Sequence, residues 1–190
     1  PDGPDRWKLY GEKSWSGNAS WANFISVFCK LQDGEGRVTG TVGFLLERGM
    51  PGLRQGAEAL TMGMRGMVQN TIFLEGVSVG RDRMLGEEGD GLSVALACMR
   101  IGRIGIAAMC LGGMARCAQL MTRYSSRRFV GSGSLLDNPI TRERISRVIS
   151  ERSALALLVE HVGTLIDSGA AVSEDMFLAS KVLGPEFLWH

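Results

Sequence analysis

Two arginine arrangements are the first candidates for chemistry in this chain. In "YSSRRFVGSG" (124–133), Arg127 and Arg128 precede a run of serine and glycine backbone amides. Guanidinium forks and free N–H groups suit phosphate oxygens. Arginines at the end of a helix also complement its macrodipole, and spacing alone leaves both readings open. Arg103 is a charge inside a long apolar stretch. A buried arginine needs an anion or several acceptors. Otherwise it reaches for the surface or pairs with an acid of the same chain. A third feature is Trp15 in "GEKSWSGNAS" (11–20), a large ring among residues typical of solvent-exposed turns. Something must cover it. The acidic, Gly-rich "LGEEGDG" (85–91) has oxygens for a cation, but its place favours a helix start with dipole-matched acids.

Other chemistries find little support. The chain has two histidines and four cysteines, without zinc-type spacing. Cys110 and Cys117, seven apart, share a helix face. All four thiols are expected free and buried, which implies a reducing, cytoplasmic compartment. No nucleophile–base arrangement or paired carboxylate is legible. Of 190 residues, 45% are hydrophobic and 22% charged, a globular balance. The net charge of +1 offers no global attraction to nucleic acid or membrane. The opening "PDGPDRWKLYGEK" is too polar for a secretory signal. The apolar run "IGIAAMCLGGMA" (104–115) is shorter than the ~20 residues that span a bilayer, so no membrane span is expected.

The elements that must hold these residues change character near residue 85. Before it, "WKLYG", "FISVFCKL", "TGTVGFLLE" and "NTIFLEGVSV" read as strands. "QDGEGR" (32–37) predicts a hairpin and "RGMPGLRQG" (48–56) a turn. This half predicts an antiparallel barrel or sandwich, domain 1–84. After it, residues 89–124 read as one long helix, apolar almost all round, with both flanks buried by other helices. Its glycines at 102, 105, 112 and 113 suit close approach of another backbone. The segment 125–137 is a loop. A second helix starts at the Asn138 cap and Pro139 and runs to about Asp167. A third starts at Ser173 and should kink or end at Pro185. The methionines of "MGMRGM" (62–67) are expected in a core or interface. The fold class is therefore α+β, with long antiparallel bundle helices as domain 85–190.

Four segments in order resemble the acyl-CoA dehydrogenase family. "GEKSWSGN" resembles the family's G-x-K-x-W-I-T-N. "TMGMR" resembles K-x-G-M-R, with Thr61 in place of lysine. "GVSVGRDRMLGEEGDGL" resembles V-x-V-P-x-x-x-L-L-G-x-x-G-x-G, with Gly80 in place of proline. "GRIGIAAMCLGGMARCAQLMTRYSSRR" is similar to the family's R-I-x-x-A-x-x-x-G helix and its Y-x-x-x-R loop. The resemblance implies a middle β domain and part of a C-terminal four-helix bundle holding FAD. It implies flavoprotein oxidation of an acyl thioester to the trans-2-enoyl thioester, as in fatty acid metabolism. A glutamate base removes the α-proton, and electrons pass to an electron-transfer flavoprotein or another acceptor.

Residue by residue, the resemblance places Trp15 against the isoalloxazine, with Ser16 beside it. Gly17 falls where the family has a Thr or Ser hydroxyl near flavin N5. Arg128 would reach the FAD pyrophosphate of a neighbouring subunit in a homo-oligomer, a dimer or tetramer, followed by Phe129. Arg103 and Arg100 would sit near the thioester. Several positions depart from the pattern. The loop after Arg128 lacks R-x-x-F-G spacing, and Ile140 or Thr141 stands near where the family uses a glutamine. Gly102 occupies the position of one branch's catalytic glutamate; the other branch places it beyond residue 190. The T-E-P-x-A-G-S-D flavin motif should precede residue 1. The chain is thus expected to be an incomplete piece, inactive alone, without an assignable catalytic base. "MRGMVQN" (64–70) and the altered loop after Arg128 resemble a divergent, biosynthesis-associated branch whose thioester carrier is either CoA or an acyl carrier protein. A non-catalytic flavin-binding or structural homologue is the alternative.

Overall fold

The computed structural model describes residues 1–189. Two compact units emerge, Pro1–Ala97 and Cys98–His190. In the first, strands β1 (Arg6–Gly17), β5 (Gln69–Gly80) and β4 (Leu53–Ala59) form one sheet in the order β1-β5-β4. Strands β2 (Phe24–Gln32), β3 (Val38–Glu47) and the short β6 (Met84–Leu85) form the second, in the order β2-β3-β6. Every pairing is antiparallel. Among the described residues the sheets stay open, so the unit is sandwich-like and the barrel alternative falls away.

The period-2 pattern explains the core. Asn70, Ile72 and Leu74 of β5 are buried while Gln69, Thr71 and Phe73 are not. Past Leu74 the buried set becomes Val77 and Val79. Gly76 is the extra residue: Tyr10 pairs with Glu75 and Leu9 with Val77. Its φ of +76° suits glycine and makes a bulge that moves the apolar face by one position. Phe44 and Leu46 of β3 are fully buried in the same core, each contributing about 2 kcal/mol.

The hairpin expected at 32–37 forms between β2 and β3. Asp33 holds it by accepting the Glu35 and Arg37 N–H groups, both at 2.9 Å. The turn expected over 48–56 is shorter than that, because its second half becomes β4. The sequence LRQGAEA has no apolar alternation, but the free edge of β5 recruits it, with the Arg54 guanidinium 4.0 Å above the Phe73 ring. Of the two places expected for the methionines of 62–67, the core does not hold Met62 and Met64, which are exposed.

Helix α1 (Gly91–Arg127) begins against β3. Asp90 is its cap residue: the Asp90 carbonyl accepts the Val94 N–H at 3.0 Å, and its carboxylate accepts the Glu87 N–H at 3.1 Å. The Leu92 N–H finds its acceptor in the Thr41 hydroxyl at 2.9 Å. The acids of "LGEEGDG" therefore precede the helix, whose first turn has none.

The second unit holds most of α1, a small hairpin of β7 (Phe129–Val130) and β8 (Gly133–Ser134), and helices α2 (Pro139–Asp167) and α3 (Glu174–Trp189). Asn138 caps α2 as expected, accepting the Ile140 N–H at 2.9 Å with Pro139 in the first turn. Pro185 does not end α3. Leu183 and Phe187, on either side of it, pack against the cluster formed by Ala107, Cys110, Met114 and Leu155, and this packing offsets the missing N–H.

Among the described residues, only that face of α1 is covered. Leu92, Met99, Ile101 and Met109 remain exposed, against the expectation of two buried flanks. Gly102, Gly105 and Gly112 face open space; the close backbone approach occurs instead at Gly184, 3.1 Å from Ala107 Cα when a Cβ is built on it. The thiol expectation needs correction too, since Cys98 and Cys117 are exposed. By length and composition α1 could cross a membrane. The 104–115 run understated it, because the flanking arginines interrupt the run and not the helix.

Candidate functional site

Among the described residues, four besides glycines adopt a left-handed backbone, Asp5, Trp15, Asn18 and Met64, and of these Trp15 lies inside a strand. Lys13 pairs with Ile72 and Ser16 with Asn70, so Ser14 and Trp15 together oppose Thr71. This bulge places Trp15 at φ +58°, a left-handed conformation costing a non-glycine residue about 1–2 kcal/mol. On the other side of β5, β4 bulges at the same level: Gln55 pairs with Ile72 and Glu58 with Asn70. Bulges re-aim side chains, and here the indole is 71% exposed. The stretch 11–17, turn-like in composition, is thus the end of a strand.

The sheet face around Trp15 has small side chains. Ala57, Ala59, Thr71 and Gln69 line a cleft of ≈ 160 Å³ beside the indole. Gly17, paired with Gln69, continues this face. A methyl group built on Gly17 would lie 3.5 Å from Met67 Sδ and 3.8 Å from Gln69 Nε2, ordinary contact distances. Glycine is therefore not sterically required there. Ser16 turns elsewhere, its hydroxyl donating to the Lys13 carbonyl at 3.4 Å.

A polar network fixes the segment after Gly17. Asn70, 2% exposed, accepts the Ser20 N–H at 3.1 Å and donates to the Gly56 carbonyl at 3.1 Å. Glu58 accepts the Ser20 hydroxyl at 2.8 Å and the Trp21 indole N–H at 3.1 Å. A buried amide that uses both ends is a rigid pin, here joining β5, β4 and the segment after β1.

In the second unit, Arg103 is 17% exposed and Arg100 about half exposed. Both bind one carboxylate, that of Glu174 at the start of α3: Arg103 Nη1 donates to Oε1, and Arg100 Nε donates to Oε2 at 2.7 Å. The Arg100 hydrogen bond, then that of Arg103, holds the Glu174 carboxyl below the usual glutamate range. The chain thus supplies the acid that the mid-helix charge needs. Such a carboxylate is a poor proton acceptor, so Glu174 is not assigned as a base.

Arg128 follows the last turn of α1, its N–H bonded to the Tyr124 carbonyl at 2.9 Å. It leads into the β7–β8 hairpin, which leaves Phe129 exposed. The Ser134 hydroxyl and N–H both donate to Asp137 at 2.8 Å, capping the single turn 135–137 after the hairpin and drawing that carboxyl below its usual range.

Trp15, Ser16 and Gly17 therefore share one strand end, Arg100 and Arg103 share one acid, and Arg128 and Phe129 share one hairpin. Sequence reasoning missed Gln69, Asn70 and Glu174. The adjacent amides Gln69 and Asn70 at the head of β5, just before the apolar Ile72–Leu74 run, were the available signal for the first two.

Comparison with known proteins adds an independent line. Residues 1–77 match the model of the acyl-CoA dehydrogenase middle domain, and residues 89–190 that of the C-terminal domain. The chain is 34% identical over 187 residues to the cyclohexane-1-carbonyl-CoA dehydrogenase of Syntrophus aciditrophicus, covering 96% of this chain and 47% of that protein. It is 27% identical to the human mitochondrial very long-chain specific acyl-CoA dehydrogenase, covering 95% of this chain and 28% of that one. The chain thus spans half or less of the length of these relatives. Among solved structures, a chain described with the electron transferring flavoprotein of Acidaminococcus fermentans superposes with TM-score 0.89 at 28% identity, over 97% of this chain and 48% of that one. A glutaryl-coenzyme A dehydrogenase complex superposes equally well, TM-score 0.89, at 23% identity, over 98% and 47%.

Proposed function

Since this chain belongs to the acyl-CoA dehydrogenase family, we propose that it is part of an FAD-dependent α,β-dehydrogenase of acyl thioesters. The observation that carries the reading is Trp15. A strained backbone holds a large apolar ring in solvent beside a flat face of small residues, an arrangement suited to stacking a planar heteroaromatic group. The cleft admits a ring edge rather than a whole tricycle, so these residues form one wall of the site. FAD, when bound, supplies the electron acceptor for carbon–carbon desaturation.

The chain's own residues bind and orient. Trp15 offers its face, with Ser16 and Gly17 continuing the strand. The exposed Arg128 offers a guanidinium fork for the FAD pyrophosphate, with Phe129 beside it. Across a homo-oligomer it would serve a neighbouring subunit, and the exposed apolar side of α1 supports association. Arg103 and Arg100, held by Glu174, meet the thioester end of the substrate. No residue among those described is assigned as the base. The name of the 34%-identical relative supports a CoA thioester of an intermediate of acyl metabolism; an acyl carrier protein is the other carrier. An electron-transfer flavoprotein is the proposed acceptor. The four free cysteines support a reducing compartment such as the cytoplasm.

The test is to titrate the full-length protein that contains this chain with FAD, then add one acyl chain on CoA and on carrier protein, following loss of the flavin's visible absorption. Saturable FAD binding with bleaching by either thioester supports the proposal, and the faster carrier identifies the substrate class. Binding without bleaching by any thioester favours a non-catalytic flavoprotein. Absence of FAD binding at micromolar concentration overturns the reading.

A further inference from the structure

We infer that the Gln69 side-chain amide is the hydrogen-bonding group that reads the edge of the flat heterocycle stacked on Trp15. The inference rests on the FAD reading of the same face.

The argument starts from the polar groups beside the indole. The Ser16 hydroxyl is directed to the Lys13 carbonyl. The Asn70 amide is spent at both ends within the protein. Gly17 has no side chain. Gln69 lies opposite Gly17 in the antiparallel register, so its side chain emerges on the same side of the sheet. Its Nε2 comes within 3.8 Å of the place a Gly17 Cβ would take. Among the described residues no protein group holds that amide.

An amide joins a two-hydrogen donor and an acceptor on one rigid plane. That pair matches a ring edge presenting an acceptor next to a donor, as the pyrimidine part of a flavin does. Thr71, also on this face, has only a hydroxyl. The absence of a side chain at Gly17 leaves the amide room to reach the ligand. Gln69 thus supplies polar recognition where Trp15 supplies area.

The experiment is FAD titration of the wild-type protein and the Gln69→Leu and Gln69→Ala variants, read by quenching of tryptophan fluorescence and by the ¹⁵N resonances of labelled flavin. Loss of this hydrogen bond should raise the Kd about tenfold in both variants and move the flavin nitrogen resonances. Gln69→Leu keeps the bulk, so a change seen only with alanine would mark packing and overturn the inference. FAD binding by the wild type with unchanged Kd and resonances in both variants overturns it while leaving the FAD reading intact. If the wild type fails to bind FAD, the FAD reading itself falls and this inference with it. The wild-type Gln69 side-chain NH₂ signal gives a readout independent of variant folding: it must move on saturation with FAD, and an unmoved signal overturns the inference.

Discussion

Substituting alanine for Gly91, the first residue of α1, tests how this helix docks on the sheet. Glycine to alanine in a helix ordinarily gains about 1 kcal/mol. At Gly91 the added Cβ would lie 2.5 Å from the Val42 nitrogen and 2.7 Å from its Cα and carbonyl carbon. These are backbone atoms of β3 and cannot swing aside as a side chain would. Overpacking of this kind costs about 1–3 kcal/mol. The shift that relieves it lengthens the Leu92-to-Thr41 hydrogen bond, 2.9 Å in the native protein, for about 1 kcal/mol more. After the helix-propensity gain is subtracted, Gly91→Ala should destabilise by about 2 kcal/mol. Gly105→Ala in the same helix meets nothing within 4 Å and should stabilise by up to about 1 kcal/mol. Urea unfolding with a constant m-value measures both. A Gly91→Ala midpoint at or above wild type would refute the docking. So would equal destabilisation by the two substitutions.

Three further outcomes test the polar and strained features. Trp15→Gly relieves a left-handed backbone worth about 1–2 kcal/mol against a glycine entropy cost of about 0.5–1 kcal/mol; stability should hold or rise slightly while FAD affinity falls, and a large stability loss would refute the strain assignment. Asn70→Ala leaves the Ser20 N–H and Gly56 carbonyl unpartnered and should cost about 2–3 kcal/mol by chemical denaturation; a cost near zero would show that water replaces both bonds. Glu174 has a folded-state pKa below its unfolded value near 4.5, so its contribution is present above that value and is lost as pH falls through the folded pKa. Glu174→Gln should therefore flatten the acid limb of Tm against pH measured by calorimetry, and parallel curves would show that the two arginines contribute no pH-dependent stability through it.

The sequence alone determined what local periodicity and local chemistry control. Apolar alternation placed β1, β2, β3 and β5. The Asn138–Pro139 pair marked the start of α2. The ordered motifs around Trp15, Arg65, Leu85 and Arg103 pointed to the family. What remained illegible depends on partners distant in the chain. β4 has no strand pattern of its own and exists because β5 offers an edge. Pro185 stays inside α3 because Leu183 and Phe187 are anchored in another helix's core. Arg103 found its acid 71 residues away. Trp15 looked like a residue in a turn; whether the chain turned or bulged there depended on the register against Thr71. That register is set by burial of Asn70 and Ile72 on the opposite face, a tertiary fact that no local pattern contains.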